Sequence, residues 1–280
     1  MTRLRSLVAV SSFVLGASAF SPAAKASSNE FIVQSGSTGG TSETAKPYLD
    51  QFAAYAQKAL SGWKPISIAF FTDRKPALAA IVEKKPGFGM LDVDVFLELH
   101  KREELTVLAA VEGPIHTRGH LHVVVKDPAI KTLEDLKGKI LVSNQLQSPR
   151  YVSKVVFDGK IDAEKFFQLQ PSPSPMRGLK AVDRGEAAAT LVDDAQLSSM
   201  KTLPFGASLR AIFSSAALPP TPFVAYGKNT KAEERAQVQK MLYGMCADKS
   251  GAEVCKSLQI TKFVKPDMAV YNEALKRFDK

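Results

Sequence analysis

Along the first third of the chain, short apolar runs alternate with stretches in which apolar positions recur at helical spacing. Residues 31–34 read as a strand, and a Ser/Gly/Thr-rich turn occupies 35–42. Leu49, Phe52, Ala53, Ala56 and Leu60 then mark the buried face of a helix with Pro47 near its first turn. Residues 66–71 alternate as a second strand, Thr72 and Asp73 stand where a cap belongs, and a helix runs over 77–82. A strand at 88–91, a helix at 93–100 and a strand at 105–111 follow. Alternation of this kind predicts an α/β fold, with a largely parallel sheet and helices on both faces.

A second set of elements begins at 120–125. In D-P-A-I-K-T-L-E-D-L-K-G-K-I-L-V-S-N-Q-L-Q-S-P-R (127–150), Thr132 and Asp135 have capping-box spacing for a short helix, and Gly138 suits its left-handed end. Residues 140–142 seed a strand, and Ser148-Pro149 opens a further helix. Ser174-Pro175 opens another, carrying Met176, Leu179 and Val182, and 187–192 is a small-residue strand ending in Asp193-Asp194. P-P-T-P at 219–222 breaks the pattern. Residues 223–226 form a strand, and the remainder reads as helix over 233–247, 251–258 and 266–278. The expected division is two α/β lobes: 27–117 with 222–280, and 118–221. Two strands cross between them near 117–125 and 219–226, and the C-terminal helices return to the first lobe.

The composition, 45% hydrophobic and 23% charged, is that of a globular chain long enough for two medium domains. Its N-terminus changes how the net charge of +9 is read. Residues 1–26 have a basic start at Arg3 and Arg5, an apolar core at 7–17, and small-x-small sites at Ala17-Ser18-Ala19 and Ala24-Lys25-Ala26. This is the pattern of a secretory signal peptide cleaved after Ala19 or Ala26. The apolar core is shorter than the ~20 residues a membrane span requires, and no later stretch is apolar enough for one. A chain starting at Ser27 keeps 34 basic against 28 acidic residues, +6, a mild excess that suits an anionic small molecule among other partners. No basic run interleaved with aromatics suggests a nucleic-acid groove. The expected location is the periplasm, an oxidising compartment, so Cys246 and Cys255 are expected to form a disulfide, with two free buried thiols as the alternative.

Four segments carry a family likeness: M-L-D-V-D-V-F-L (90–97), L-H-V-V-V-K-D-P-A-I-K-T-L-E-D-L-K-G-K-I (121–140), A-V-D-R-G-E-A-A-A-T-L-V-D-D (181–194) and L-P-P-T-P-F-V-A-Y-G-K (218–228). In that order they resemble type 2 periplasmic binding proteins, and among these the substrate-binding proteins of phosphate/phosphite/phosphonate ABC transporters. The resemblance implies a two-lobed fold, a small polar and anionic ligand closed between the lobes, no cofactor, no catalysis, and delivery to an ABC permease. Phosphonate binders usually carry an S-T-S-G-like turn at a helix N-terminus. This chain has Ser143-Asn144-Gln145-Leu146-Gln147-Ser148-Pro149-Arg150-Tyr151 there, which keeps a serine at the helix start and replaces the rest.

The candidate ligand contacts are Ser35, Ser37 and Thr38 after the first strand, Thr72 after the second, and Ser143, Gln145, Ser148, Arg150 and Tyr151 after the strand at 140–142. Strand carboxyl ends and a helix N-terminus favour an anion, and Arg150 offers a bidentate guanidinium. The competing reading of the hydroxyls is turn formation and helix capping. His120, entering the crossover, is a further ligand candidate. His120 and His122 share a strand face, and with His116 they offer either a metal site or local hydrogen bonding near the hinge. Asp92, Asp94, Asp193 and Asp194 are expected in turns and caps. No nucleophile elbow, phosphate-binding loop or dinucleotide fingerprint is present, so no catalytic residue is assigned. A ligand-sensing module for a membrane kinase or chemoreceptor is the alternative that the fold alone does not separate from transport.

Overall fold

Apolar runs too short for a helix become strands, and the longer amphipathic stretches between them become helices. The computed structural model describes residues 27–36, 41–117 and 119–280. The expected signal segment, Ser37 and Thr38 lie outside these residues. In chain order the first unit runs β1 (Ser27–Gln34), α1 (Ser42–Ala59), β2 (Ser67–Phe71), α2 (Arg74–Lys84), β3 (Pro86–Met90), α3 (Val93–Leu99) and β4 (Leu105–Glu112). The second runs β5 (Leu121–Val125), β6 (Ile140–Ser143), α4 (Pro149–Tyr151), α5 (Ala163–Phe166), β7 (Gln168–Pro171), α6 (Pro175–Asp183), β8 (Ala189–Asp193), α7 (Asp194–Met200) and β9 (Arg210–Ser214). The chain then returns through β10 (Pro222–Tyr226), α8 (Ala232–Met245), α9 (Lys249–Ser257), β11 (Lys262–Val264) and α10 (Met268–Asp279).

Two sheets result, one per lobe, in the orders β11-β4-β10-β3-β1-β2 and β7-β6-β8-β5-β9. Parallel pairing joins β1 to β2 and β3, and β6 to β7 and β8, as strand–helix alternation requires. The strands next to the crossings pair antiparallel: β10 with β3 and β4, β11 with β4, and β5 with β8 and β9. In the first lobe, Phe31 meets the rings of Phe52, Phe88 and Phe223 at centroid distances of 6.4, 5.2 and 6.1 Å, tying α1 to three strands.

Local differences from the sequence pattern have physical causes. The Thr132/Asp135 pair does not cap an α-helix. Asp135 instead accepts from the amides of Lys131 and Thr132, both at 2.9 Å, and the segment closes as a single 3-10 turn at Glu134–Leu136. Gly138 does take the left-handed conformation, at φ +73. The C-terminal region is not wholly helical, because β11 adds to the sheet edge through Lys262–Glu112, Phe263–Val111 and Val264–Ala110 pairing. The helix begun by α4 widens into a π turn at Val152–Val156.

The returning segment ties the halves together. Cys246, which ends α8, and Cys255 in α9 form a disulfide with Cα atoms 5.6 Å apart. A loop this short contributes about 2–3 kcal/mol. Helix α10 lies against α3 through Phe96 and Tyr271, whose rings are 5.7 Å apart. It also reaches the second lobe, where the buried Arg277 donates to the carbonyl of Val155 at 3.3 Å and to that of Ala217 at 3.0 Å. Arg277→Met removes the shared donor and leaves two buried carbonyls short of partners. It is expected to destabilise the protein by about 2–4 kcal/mol in urea unfolding.

Candidate functional site

The carboxyl ends of β1 and β6 face each other across the lobes. After β1, the chain is held by a buried carboxylate. Asp92 Oδ2 accepts from the Gly36 amide at 2.7 Å and from Gln34 Nε2 at 3.4 Å, while the Asp92 amide donates to Gln34 Oε1 at 3.1 Å. Ser35 is buried, and its amide continues the ladder to Phe71 O at 3.0 Å. Thr72 is half-buried, and its carbonyl lies beside Gly36.

Across the cleft, Ser143 is buried at the end of β6, and its hydroxyl accepts from the Gln145 amide at 3.1 Å. That bond caps the 3-10 turn Asn144–Gln147. Two bonds then join the lobes: Asn144 Nδ2 to Gly36 O at 3.4 Å, and the Arg74 amide to Gln147 Oε1 at 2.8 Å. Gln34, Gly36, Arg74, Asp92, Asn144 and Gln145 all line one small cavity there, with room for about one water molecule. Arg74, the one cation among these, is paired with Asp94 at 3.1 Å and with Glu98. Asn144 Oδ1 is buried and has no hydrogen-bond partner among the described residues.

The remaining expected contacts are distributed differently. Ser148 and Tyr151 are buried at the start of the α4 helix. Arg150 turns away from the cleft. Its guanidinium lies 4.4 Å over the Phe278 ring and donates to Phe278 O at 3.2 Å, a favourable place for a cation at the end of α10.

The histidines do not gather as one metal cluster. His116 sits in the crossing with Nε2 3.2 Å from Leu258 O, whereas His120 and His122 converge on Asp194. Among the described residues, no group of three or more His, Cys, Asp and Glu is arranged to hold a metal ion. The metal alternative built on His116, His120 and His122 is therefore corrected: the strand face shared by His120 and His122 carries hydrogen bonds to one carboxylate. The His122 ring nitrogens are 2.7 Å from Asp194 Oδ1 and 2.8 Å from Ser214 Oγ, and His120 Nδ1 is 3.2 Å from Asp194 Oδ2. Asp193, as expected, caps α7 by accepting from the Gln196 amide at 2.8 Å.

Residue-type reasoning missed Gly36, Arg74, Asn144 and Gln147 as parts of this site. Asn144 and Gln147 stood inside the stretch flagged as departing from the usual turn. Nothing local in the sequence distinguishes Arg74, which reaches the cleft through its backbone amide.

Two α/β lobes joined by a double crossing, with strand ends of both meeting at one cleft, define a two-lobed solute-binding protein. The model of the family described as the phosphonate ABC transporter's periplasmic substrate-binding protein matches residues 41–271, and the chain belongs to that family. No curated protein matches it in sequence. Among solved structures, XAC2383 from Xanthomonas citri bound to ATP has a TM-score of 0.70 at 14% identity, over 90% of this chain and 98% of that one. PhnD1 from Prochlorococcus marinus in complex with methylphosphonate has a TM-score of 0.64 at 13% identity, over 90% and 99%. The alkanesulfonate-binding protein SsuA from Xanthomonas axonopodis pv. citri bound to MOPS has a TM-score of 0.52 at 17% identity, over 91% and 85%. These likenesses establish a shared fold. Among the described residues no helix is long and apolar enough to cross a membrane.

The Asp194 cluster makes stability depend on pH. Burial pulls the Asp194 carboxyl up, but hydrogen bonds from the His122 and His120 rings and the His120 amide outweigh it and hold the group below its ordinary value of 3.8. A folded-state value below the unfolded one adds stability that is complete above 3.8 and is lost as pH falls through the depressed value. Asp194→Asn is expected to cost about 1 kcal/mol at pH 7, a modest figure because the carboxylate is half exposed. The difference from wild type should shrink toward zero in urea unfolding at pH 3.

Proposed function

We propose that this protein captures a small phosphonate-type oxyanion between its lobes and delivers it to an ABC permease without chemically altering it. The observation that carries the reading is that Ser35-Gly36 faces Ser143 to Gln147, with hydrogen bonds across the cleft from Asn144 to Gly36 at 3.4 Å and from the Arg74 amide to Gln147 at 2.8 Å. Ser35, Thr72, Ser143 and Gln145 are the proposed ligand contacts from the described residues. They offer hydroxyl and amide donors at strand ends, which suit an anion without requiring a paired cation. Hinge closure on the ligand is the proposed mechanism. The cavity holds no room for a phosphate-sized group as it stands, so entry requires the lobes to part first. His120 and Arg150, held by Asp194 and Phe278, join the ligand only if opening releases them. A periplasmic location after signal cleavage and a permease as partner follow from the family's role.

The buried Asn144 Oδ1 favours phosphonate over sulfonate. An unpaired buried acceptor is costly, and a ligand that keeps one proton satisfies it. A singly protonated phosphonate has that O–H, and it loses it at alkaline pH. A sulfonate has none at neutral pH. Calorimetric titration of the purified protein should therefore show methylphosphonate binding more tightly than methanesulfonate, and more tightly at pH 6 than at pH 9. Gln145→Ala should weaken methylphosphonate binding about 5- to 30-fold. Failure of phosphate, phosphonates, sulfate and sulfonates alike to bind would refute the anion reading.

A further inference from the structure

Three neighbouring strands of the second sheet bring a serine, a histidine and a carboxylate into line. β5 lies between β8 and β9. His122 of β5 is in register with Ser214 of β9, and Asp194 directly follows the end of β8. Ser215 N donates to Leu121 O, so Leu121 and Ser215 are a hydrogen-bonded pair. The next pair, His122 and Ser214, is then of the closer, non-hydrogen-bonded kind, with both side chains on one face. The imidazole spans the gap: Nδ1 is 2.8 Å from Ser214 Oγ, and Nε2 is 2.7 Å from Asp194 Oδ1. One neutral tautomer serves both contacts. With its proton on Nε2 the ring donates to Asp194, and Nδ1 is left to accept the Ser214 hydroxyl. Asp194 accepts from the His120 amide at 3.0 Å, which fixes the carboxylate in turn. His122 is buried and Ser214 is exposed, so the base is held in place while the hydroxyl is open to a substrate.

We infer that Ser214, His122 and Asp194 form a nucleophilic triad that gives the protein an acyl-transfer activity toward small carboxylic esters. The activity goes beyond the proposed function, because it uses other residues and acts on a carbonyl carbon. Ser214 Oγ attacks the ester carbonyl as its proton passes to His122 Nδ1. The bond from the carbonyl carbon to the alkoxy oxygen breaks, and the alcohol leaves with that proton. Water then attacks the acyl-serine and gives a proton to His122. The carboxylic acid departs as Ser214 Oγ takes that proton back. Asp194 is a positioning residue that holds the ring in the productive tautomer and stabilises the imidazolium. A donor for the carbonyl oxygen stands on the nucleophile's own residue. With Leu121 and Ser215 as the bonded pair, the Ser214 amide points away from β5, and β9 is the last strand of its sheet.

The test exposes the purified protein to p-nitrophenyl acetate and, separately, to phenylmethylsulfonyl fluoride, which loses fluoride as the Oγ–S bond forms. Peptide mass mapping is expected to find the sulfonyl group on Ser214. Release of p-nitrophenolate should fall about 100-fold or more in Ser214→Ala and in His122→Gln, within the range a general base supplies. Asp194→Asn should slow release at saturating ester and leave the half-saturating concentration little changed, a split that a merely structural role would not produce. Circular dichroism melts would verify that the variants fold, and the mapping on the wild type stands without them. An unmodified Ser214, or release that Ser214→Ala leaves unchanged, would overturn the triad and leave the proposed function standing.

Discussion

The chain passes between the lobes twice, and the two passes are hydrogen-bonded to each other. Val111 N donates to Thr221 O, Thr221 N to His116 O, Leu218 N to Gly119 O and Ser215 N to Leu121 O, all between 2.7 and 3.0 Å. Ser215, Leu218 and Thr221 are buried, so these backbone groups have no water to fall back on, and the ladder is the way the crossing satisfies them. Gly119 is constrained twice here. Its φ is +60, and a Cβ would stand 1.9 Å from Asp194 Oδ2. Arg277 then grips the same ladder at Ala217 while holding the second lobe at Val155. Movement of one lobe against the other is thereby confined to bending at a pre-formed double strand with α10 strapped across it.

That confinement decides what the cleft can do electrostatically. The residues around the small interlobe cavity carry more acid than base: Asp92, Asp94 and the nearby Glu98 against Arg74. Asp92 is directed at the Gly36 amide and Gln34, and Asp94 and Glu98 at Arg74, so each carboxylate has a structural task. The proposed oxyanion would be held by oriented neutral donors, whose strength comes from being fixed in place before a ligand arrives. Attraction at longer range comes from the basic excess elsewhere on the chain.

Elements that depend on local pattern were legible in the sequence, while the partners of individual polar groups were not. The helical face of Leu49, Phe52 and Ala56 and the strand at 140–142 follow from periodicity alone, because burial of an apolar stripe or face is what forms them. The three-residue β11 left no such mark. Its strand character comes from pairing with β4, far away in sequence. Arg150 illustrates the limit at the site. A guanidinium one residue past a Ser-Pro helix start suggests an anion contact, yet its direction is set by Phe278 at the other end of the chain. The same holds for His120 and His122: their shared face was readable from spacing, and the carboxylate they share, at Asp194, was not.

On the proposed function, the contacts that keep the cleft shut also oppose the ligand. Asn144 to Gly36, the Arg74 amide to Gln147, and Arg150 to the end of α10 are each made with the lobes together. A ligand that enters only an open form binds with an apparent affinity reduced by the fraction of molecules that are open. Each of these contacts therefore weakens binding in proportion to how far it favours the unliganded closed form. Individually they are modest, a neutral hydrogen bond contributing about 1 kcal/mol, or roughly a fivefold shift in the equilibrium. The ligand recovers that cost only by making contacts in the closed form that exceed the ones it displaces. On the proposed function, Gln147 and Asn144 would stand at this point of exchange: the groups that now bond across the cleft would bond a ligand instead, so closure without cargo and closure on cargo would draw on the same donors and acceptors.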